Sequence, residues 1–307
     1  MVANRSFADL NIMVVDDDDD TRYIAHQLLK KACGFEHIRE FTEGRSALDH
    51  LMEHPTDVDI IFMDRMMPRM TGLEFCQELR KTPQFSHVDI IVQTGKTAWF
   101  EIDEILESQP DYLIRKPFLQ EQLTPYFAEA GKRALRRRTF TEALTGKADI
   151  MPPQLLTFEA RTIAEAPAIA IQLARYFPRP LHVVEAIYEL IVNGIEHGNL
   201  DMGFSLKRSL LNANTYEQCL RQKEQEAQHQ HKTVTIHLHQ ANNTLFLTLQ
   251  DQGNGFNHAP YHTLTRYLLV EPFGRGIIKA HRAFDTVEYQ GAGNRVMCSY
   301  RCSSGSV

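Results

Sequence analysis

The stretch VDIIFMDRMMPRMTG, residues 58–72, decides the fold of the first part of the chain. Its apolar run, residues 58–63, ends at Asp64, and a proline and a glycine follow within the next eight positions. A short apolar run that ends in a charged residue and a turn is typical of a parallel-sheet strand buried on both faces. The stretch therefore predicts a central strand with Asp64 at its carboxyl end.

Four further apolar runs of this kind lie within residues 1–130, and amphipathic helical stretches separate them. The other runs are Ile12–Val15, Ile38–Phe41, Val88–Val92 and Tyr112–Ile114. The helical stretches are Thr21–Cys33, Arg45–Glu53, Leu73–Lys81, Ala98–Glu107 and Leu119–Ala134. The alternation predicts an α/β domain with a doubly wound, five-stranded parallel sheet, whose site lies at the carboxyl ends of the strands.

Polar side chains stand where four of these strands are predicted to end: Asp16 and Asp17, Asp64, Thr94, and Lys116. Carboxylates that converge at one sheet edge repel each other, and Mg²⁺ relieves that repulsion with oxygen ligands. A metal-polarised carboxylate beside a phosphate can act as a nucleophile and form an aspartyl-phosphate. A lysine can neutralise a phosphoryl oxygen, and a hydroxyl can report its arrival. Taken alone, the five consecutive aspartates also fit a solvated strand end followed by a helix N-terminus.

In this order the residues resemble the receiver domain of bacterial response regulators, a flavodoxin-like fold. The family pattern is an acidic pair, an aspartate followed by MMPxMxG, a threonine or serine, and Lys-Pro, here Lys116 with the cis-prone Pro117. The resemblance implies that Asp64 is the phospho-acceptor, with Thr94 and Lys116 at the phosphate. The implied Mg²⁺ site consists of Asp16, Asp17, Asp64 and the backbone carbonyl of Met66. A sensor histidine kinase or a phosphotransfer protein is the implied partner.

One position departs from the family pattern. The family usually has an aromatic switch residue three positions before the lysine, which here is Leu113, whereas Tyr112 lies four positions before it. Two interpretations stay open: Arg115 forms a one-residue bulge, or the aromatic switch is altered.

The chain has 307 residues and a formal net charge of −6. A single hydrophobic core rarely grows beyond about 250–300 residues, so two domains are expected. We expect the receiver at 1–130, a helical extension and linker at 131–153, and a second domain at 154–307. The basic run at 132–138, KRALRRR, is expected to be a solvated helix end.

Composition narrows the functional class. The sequence lacks the run of about 18–20 apolar residues that a membrane span needs, and its negative charge gives no indication of direct DNA binding. Five scattered cysteines without a CxxC pair favour a reducing cytoplasm over a disulfide framework or a zinc site.

The second domain is predicted to be an α/β sandwich, with helices on one side of a mixed sheet. Helices are expected at 180–197 and 204–229. Alternating apolar residues predict strands at 234–240 and 244–251, and a last pair of strands at 285–290 and 295–301.

The stretch HVVEAIYELIVNGIEHGNL, residues 182–200, combines two stripes on one predicted helix. Apolar residues recur at helical spacing and form a core face, while Glu185, Glu189, Asn193 and His197 recur every four residues on another. Polar groups on a largely buried helix suggest a lined pocket. There Asn193 could offer its carbonyl oxygen to Mg²⁺ and Glu189 could accept a proton; a solvated helix face is the alternative.

Two glycine-rich segments follow. The first contains Asp251, Gly253 and Gly255, and the second contains Gly274, Arg275 and Gly276. Glycines let the backbone approach a ligand closely, the aspartate can accept a hydrogen bond from an exocyclic amine, and a helix that begins at the second segment can hold phosphate. An ordinary turn and an ordinary helix start fit the same residues.

In this order the segments resemble the N, G1 and G2 boxes of the GHKL ATPase superfamily, and most closely the anti-sigma-factor serine kinases. The resemblance covers roughly residues 155–300 and implies an ATP site in which Asn193 binds Mg²⁺, Glu189 is the base and Asp251 holds adenine. The segment 201–231 is longer than the compact kinases need and is expected to be an insert.

The combined hypothesis is a two-component regulator whose phosphorylation on Asp64 controls an ATP-binding domain. That domain would phosphorylate a serine or threonine on an anti-anti-sigma (STAS-type) partner. The alternatives are a non-enzymatic ATP-binding module that sequesters a partner such as a sigma factor, and a degenerate hybrid histidine kinase. A homodimer is also possible on the leucine-rich faces of the fifth helix.

Overall fold

Two units make up the fold, and the first takes residues from two separate parts of the chain. The computed structural model describes residues 6–85, 88–95, 102–145, 154–213, 215–259 and 269–302. Residues 1–139 and 264–273 form the first unit, and residues 140–263 and 274–307 form the second.

The first unit contains the predicted parallel sheet, with strand order β2-β1-β3-β4-β5. Its strands are β1 (Asn11–Val15), β2 (His37–Phe41), β3 (Ile60–Asp64), β4 (Asp89–Thr94) and β5 (Tyr112–Arg115). All four strand pairs are parallel, and β3 and β4 are buried along their whole length. Central strands buried on both faces explain why their sequences are continuous apolar runs rather than alternating ones.

Consecutive strands of this sheet are connected by α1 (Asp19–Cys33), α2 (Gly44–Glu53), α3 (Gly72–Arg80) and α4 (Ile102–Ser108). The helix α5 (Gln120–Leu144) follows β5, and its residues 140–144 belong to the second unit. Asp18 is the N-cap of α1 and accepts a hydrogen bond from the Thr21 amide, so the end of the aspartate run starts a helix, as predicted. The predicted start of the fourth helix, Ala98, lies outside the described residues.

The basic run in α5 contradicts the expectation of a solvated helix end. Arg133 is only 3% exposed, and its guanidinium group pairs with Asp89 at 2.8 Å. Arg137 also contacts Asp89, and Arg138 pairs with Asp59 at 2.6 Å. The charges are therefore part of the sheet–helix packing, because acidic residues that open β3 and β4 neutralise them.

The second unit is built on a five-stranded sheet with order β6-β7-β8-β10-β9. The strands are β6 (Leu156–Ala160), β7 (Val234–Ala241), β8 (Thr244–Gln250), β9 (Thr286–Gln290) and β10 (Arg295–Arg301). Every strand pair is antiparallel, so the prediction of a mixed sheet is wrong. The hairpin of β7 and β8 turns at Asn242 and Asn243, both with positive φ, as a tight two-residue turn requires.

The described residues of this unit include the helices α6 (Ala166–Ala174), α7 (Pro180–Asn193), α8 (Phe204–Asn212), α9 (Tyr216–Gln225) and α10 (Gly276–Ala283). A π-helical segment, Gly194–Asn199, continues α7 without a break. π-Helical turns are rare and occur often at functional sites. Within the described residues, no helix is both long enough and apolar enough to cross a membrane.

Candidate functional site

Three charged side chains meet at the carboxyl edge of the first sheet. Asp64 ends β3, Asp16 directly follows β1, and Lys116 directly follows β5. The Lys116 ammonium group lies 2.8 Å from a carboxylate oxygen of Asp16 and 2.5 Å from one of Asp64. Parallel strand order alone brings these residues together, since 100 positions separate Asp16 from Lys116 in sequence.

Burial and charge oppose each other in this cluster. Burial raises the pKa of Asp64, and the Lys116 ammonium group offsets only part of that rise. For Lys116, burial lowers the pKa, but the hydrogen bonds to Asp16 and Asp64 raise it by more. The lysine therefore stays charged and stabilises two carboxylates that would otherwise repel each other.

The loop after β3 fixes the direction of Asp64. The second carboxylate oxygen of Asp64 accepts a hydrogen bond from the Met66 amide at 2.6 Å. The Gly72 amide donates to the carbonyl of Arg65 at 2.8 Å, and a Cβ on Gly72 would stand 2.3 Å from the carbonyl oxygen of Asp64. Only glycine allows α3 to start so close to the strand end, which explains the last letter of MMPRMTG.

The other predicted members of this site differ in placement. Thr94 ends β4, is 2% exposed, and pairs in register with Arg115. Asp17 is exposed, whereas Asp16 and Asp64 are the carboxylates that pair with Lys116. The described residues contain no group of three histidine, cysteine, aspartate or glutamate side chains arranged to hold a metal ion.

Gln93 belongs to this site although the sequence analysis missed it. It is fully buried on β4, and its amide nitrogen donates to Asp16 at 2.6 Å. A glutamine in an otherwise apolar strand, IIVQT, is the signal that could have identified it.

The register of β5 settles one of the two open interpretations of the aromatic position. Ile91, Val92, Gln93 and Thr94 pair one to one with residues 112–115, so Arg115 forms no bulge. Tyr112 is fully buried, stacks edge-on against Tyr126 at 5.5 Å, and lies under the guanidinium group of Arg133 at 5.0 Å. The aromatic residue therefore faces α5, and the Leu113 side chain faces the other side of the sheet.

A narrow cleft in the second unit is lined by three of the predicted nucleotide residues, Asn193, Asp251 and Gly255. Asn193, Asp251, Gly255, Phe256, Tyr289 and Asn294 line it together with apolar residues of the sheet. It encloses about 20 Å³, roughly the space of a single water molecule. Two of its lining residues, Phe256 and Tyr289, pack edge-to-face at 5.5 Å.

The Asp251 carboxylate lies close to the backbone of Gly198 and Gly253. Its carboxylate accepts a hydrogen bond from the Gly253 amide at 2.8 Å, and burial raises its pKa. A Cβ on Gly198 would stand 2.2 Å from the Asp251 carboxylate carbon, and one on Gly253 would stand 2.1 Å from the Gly198 carbonyl oxygen. Glycine is needed at both positions, which links the end of the π-helix to the loop after β8.

The second glycine-rich segment lies against α7. A Cβ on Gly276, at the start of α10, would stand 2.9 Å from the Asn193 side-chain nitrogen and 3.2 Å from a Glu189 carboxylate oxygen. Lys279, one turn further along α10, lies 3.0 Å from Glu185 and 3.9 Å from Glu189. Arg275 is buried within this unit. The structure thus brings together residues that are 83 positions apart in the chain (193 and 276).

A buried polar cluster beside the cleft was also missed from sequence. Glu196 is 1% exposed and lies 2.5 Å from the Lys207 ammonium group. The Tyr216 hydroxyl donates to the other carboxylate oxygen of Glu196. The Nε2 of His197 lies 3.9 Å from the oxygen that faces Lys207. Because Lys207 and Tyr216 belong to α8 and α9, the predicted insert at 201–231 packs as an integral part of this unit.

The sheet order and the strand-end cluster of Asp16, Asp64 and Lys116 define the class of the first unit, a response-regulator receiver domain. The family model for the response regulator receiver domain matches residues 12–127, and the chain belongs to this family through that region.

Curated relatives agree with this assignment. Protein PilG of Pseudomonas aeruginosa is 33% identical over 115 residues, which cover 37% of this chain and 82% of PilG. An uncharacterized transcriptional regulatory protein of Bacillus subtilis, YrkP, is 33% identical over 36% of this chain and 45% of its own length. Response regulator MprA of Mycolicibacterium vanbaalenii is 33% identical over 46% of this chain and 57% of its own length. The chain thus spans about half the length of the latter two relatives.

Solved receiver domains are also similar to this chain. The receiver domain of a Pseudomonas aeruginosa sensor histidine kinase, with a magnesium ion coordinated in its active-site cleft, is 20% identical and covers 40% of this chain and 98% of its own, with a TM-score of 0.37. The family model and the homologous relatives leave the region from about residue 160 to 307 unassigned.

Proposed function

We propose that Asp64 accepts a phosphoryl group and that the receiver thereby regulates the second unit. The observation that carries the first half is the cluster of Asp64, Asp16 and Lys116. One carboxylate oxygen of Asp64 is held by the Met66 amide, and the other faces an ammonium group at 2.5 Å. An ammonium group at that distance can neutralise a phosphoryl oxygen that arrives on Asp64. A sensor histidine kinase or a phosphotransfer protein is the proposed donor, since the chain belongs to the receiver family.

The residues at this edge also fit Mg²⁺. Asp16 and Asp64 turn carboxylate oxygens toward one point that a cation already stabilises, and hard oxygen donors are the ligands that Mg²⁺ prefers. Asp17 and the Met66 backbone carbonyl are the other proposed ligands. When bound, the ion supplies charge neutralisation at the phosphoryl oxygens.

The test is phosphorylation by a small phosphoryl donor such as acetyl phosphate with Mg²⁺, followed by intact-mass measurement. Wild type should gain one phosphoryl group, while Asp64→Asn should gain none. Asp59→Asn is a matched control because Asp59 lies at the opposite end of the same strand region and pairs with Arg138 instead. Equal labelling of wild type and Asp64→Asn would contradict the proposal.

For the second unit we propose an ATP site of GHKL type. The supporting observation is the meeting of Asn193 and Glu189 with Gly276, in a unit whose neighbouring cleft contains Asp251. Asp251 would accept a hydrogen bond from the adenine amino group, and the backbone amides at 274–276 would hold phosphate. Asn193 would offer its carbonyl oxygen to Mg²⁺.

The favoured activity is phosphoryl transfer to a serine or threonine of an anti-anti-sigma (STAS-type) partner. Glu189 would orient and deprotonate the hydroxyl, and the fixed glycine-rich segment would position the phosphates. Titration of purified protein with a fluorescent ATP analogue should show saturable binding that Asp251→Asn weakens at least ten-fold. Asp201→Asn is the control, since Asp201 is exposed and lies outside the cleft lining. Unchanged binding by Asp251→Asn would contradict the site.

A specific contact supports the non-enzymatic alternative, in which ATP only shapes a partner-binding surface. The Lys279 ammonium group lies 3.9 Å from Glu189, so a substrate hydroxyl must compete with it for the carboxylate. Incubation of the protein with ATP, Mg²⁺ and a STAS-type partner distinguishes the two. Transfer of phosphate that is lost in Glu189→Gln supports the kinase, whereas partner binding without transfer, unchanged in Glu189→Gln, supports the binding module.

A further inference from the structure

Residues 269–273, here named the strap, belong to the first unit although they follow the strands and helices of residues 154–259 in the chain. Leu269 is fully buried in the same core cluster as Ile105 of α4 and Leu113 of β5. Glu271 is 4% exposed and Phe273 is 9% exposed. Leu269 therefore packs in the receiver core, and the strap as a whole is well buried.

Two tyrosine hydroxyls of the receiver hold the backbone of the strap. The Tyr126 hydroxyl donates to the Val270 carbonyl at 2.6 Å, and the Tyr112 hydroxyl donates to the Pro272 carbonyl at 3.3 Å. Buried tyrosine hydroxyls and buried carbonyls each need a hydrogen-bond partner. Here the receiver hydroxyls supply the donors and the strap carbonyls supply the acceptors. The Tyr112 and Tyr126 rings also pack edge-to-face at 5.5 Å, which helps to fix the spacing of the two donors.

The strap contacts the strand at the edge of the sheet. β5 is the last strand in the order, and Tyr112 and Leu113 are consecutive residues on it whose side chains face opposite sides. Pro272 accepts a hydrogen bond from Tyr112, while Leu269 shares a core cluster with Leu113. The strap therefore has residues associated with side chains on both faces of this edge strand.

The same strand leads directly to the phosphorylation site. Lys116 follows β5 immediately and pairs with Asp64 at 2.5 Å. A phosphoryl group on Asp64 adds charge and oxygen acceptors next to Lys116, so the ammonium group and the end of β5 must adjust to it. Arg133, which pairs with Asp89 on β4, covers the Tyr112 ring and ties that ring to the neighbouring strand.

We propose that the receiver face formed by Tyr112, Leu113 and Tyr126 is a docking surface for the strap of the same chain, and that a phosphoryl group on Asp64 weakens this docking. The regulatory half rests on the proposed function of Asp64. The strap ends immediately before Gly274, so its release frees the residue that precedes the proposed phosphate-binding segment. By linkage, a docked strap makes phosphorylation of Asp64 less favourable by the same factor.

Docking is tested by hydrogen–deuterium exchange of the full chain. In Tyr126→Phe and Tyr112→Phe, the amides of residues 269–271 and 273 should exchange roughly three to ten times faster than in wild type, the factor expected for loss of one hydrogen bond. Tyr23→Phe is the control, because Tyr23 is 65% exposed on α1. If the strap amides exchange at the same rate in all four proteins, the docking surface is wrong.

The regulatory half is tested by repeating the exchange measurement with beryllium fluoride and Mg²⁺, a mimic of a phosphoryl group. Strap exchange should rise in wild type and stay unchanged in Asp64→Asn. If beryllium fluoride binds wild type and strap exchange does not rise, the regulatory inference fails while phospho-acceptance stands. If it does not bind at all, the proposed function of Asp64 fails, and the tyrosine variants still decide whether the strap docks.

Discussion

At the scale of single residues, Glu196 shows how a charge is kept inside a core. Burial works to raise its pKa, but the charges of Lys207 and His197 and the hydrogen bonds from Lys207 and Tyr216 lower it by more, below its ordinary value of 4.5. A carboxylate whose pKa is lower in the folded than in the unfolded state stabilises the fold at pH values above its unfolded-state pKa. That contribution is lost as the pH falls through the pKa of Glu196 in the folded state.

The free energy of unfolding of the wild type should therefore fall as the pH drops below about 4.5. Glu196→Gln should lack this pH-dependent contribution. Its free energy of unfolding at pH 7 should be roughly 3 kcal/mol lower than that of the wild type, because Lys207 loses its counter-charge. Urea denaturation at several pH values measures both effects. Glu217→Gln, an exposed neighbour on α9, should behave like the wild type; a flat wild-type profile between pH 5 and the acid transition would contradict the assignment.

Gly72 is a second position at which a single side-chain atom should change stability and the phosphorylation of Asp64. A Cβ there meets the carbonyl oxygen of Asp64 at 2.3 Å, so Gly72→Ala must displace the strand end or the start of α3. We expect a loss of about 1–3 kcal/mol in stability and slower labelling of Asp64. Gly203→Ala, where a Cβ meets no atom within 4 Å, is the control. Wild-type labelling kinetics in Gly72→Ala would show that the loop tolerates the shift.

At the scale of elements, the sequence predicts both the continuous apolar strands of the first sheet and the alternating strands β7 to β10 of the second, but not β6. The five receiver strands agree with prediction to within two residues at each end. β6 was missed because LTFEA is short and buries alternate residues only partly. α6 was missed because APAIAIQLA has almost no polar face, so it carries no helical periodicity.

The basic run of α5 was misinterpreted for a different reason. Asp89, which neutralises Arg133, lies 44 positions earlier (133 minus 89) at the start of another element, and no local pattern connects them. The same limit explains the Glu196 cluster. Residues joined only by tertiary packing carry no signal in one sequence, whereas the ends of parallel strands converge by a general rule that the sequence analysis could use.

The pair of Arg133 and Asp89 leads to a prediction for α5. Arg133→Met should lower the free energy of unfolding by about 3 kcal/mol, since it removes the guanidinium group at 2.8 Å from the Asp89 carboxylate, which is only 3% exposed. Lys132→Met changes the adjacent, exposed residue and should have little effect. Equal denaturation midpoints of the two variants would mean that the buried pair contributes no net stability.

At the scale of the whole molecule, the two proposed sites lie in separate units. We therefore expect the two reactions to be separable by mutation: Asp251→Asn should still accept a phosphoryl group on Asp64, and Asp64→Asn should still bind the ATP analogue. Intact-mass measurement and nucleotide titration on the same protein samples test this. Loss of both activities in either variant would indicate that the two sites depend on each other for their structure.

The path of the chain has a consequence for evolution and for engineering. Because the first unit includes residues 264–273, no single cut in the polypeptide separates the two units. If a gene fusion replaced either unit with a homologue as one contiguous piece, the strap and the receiver face that it contacts would come from different proteins. We therefore expect the sequence of the strap to change together with that of the receiver face on which it lies.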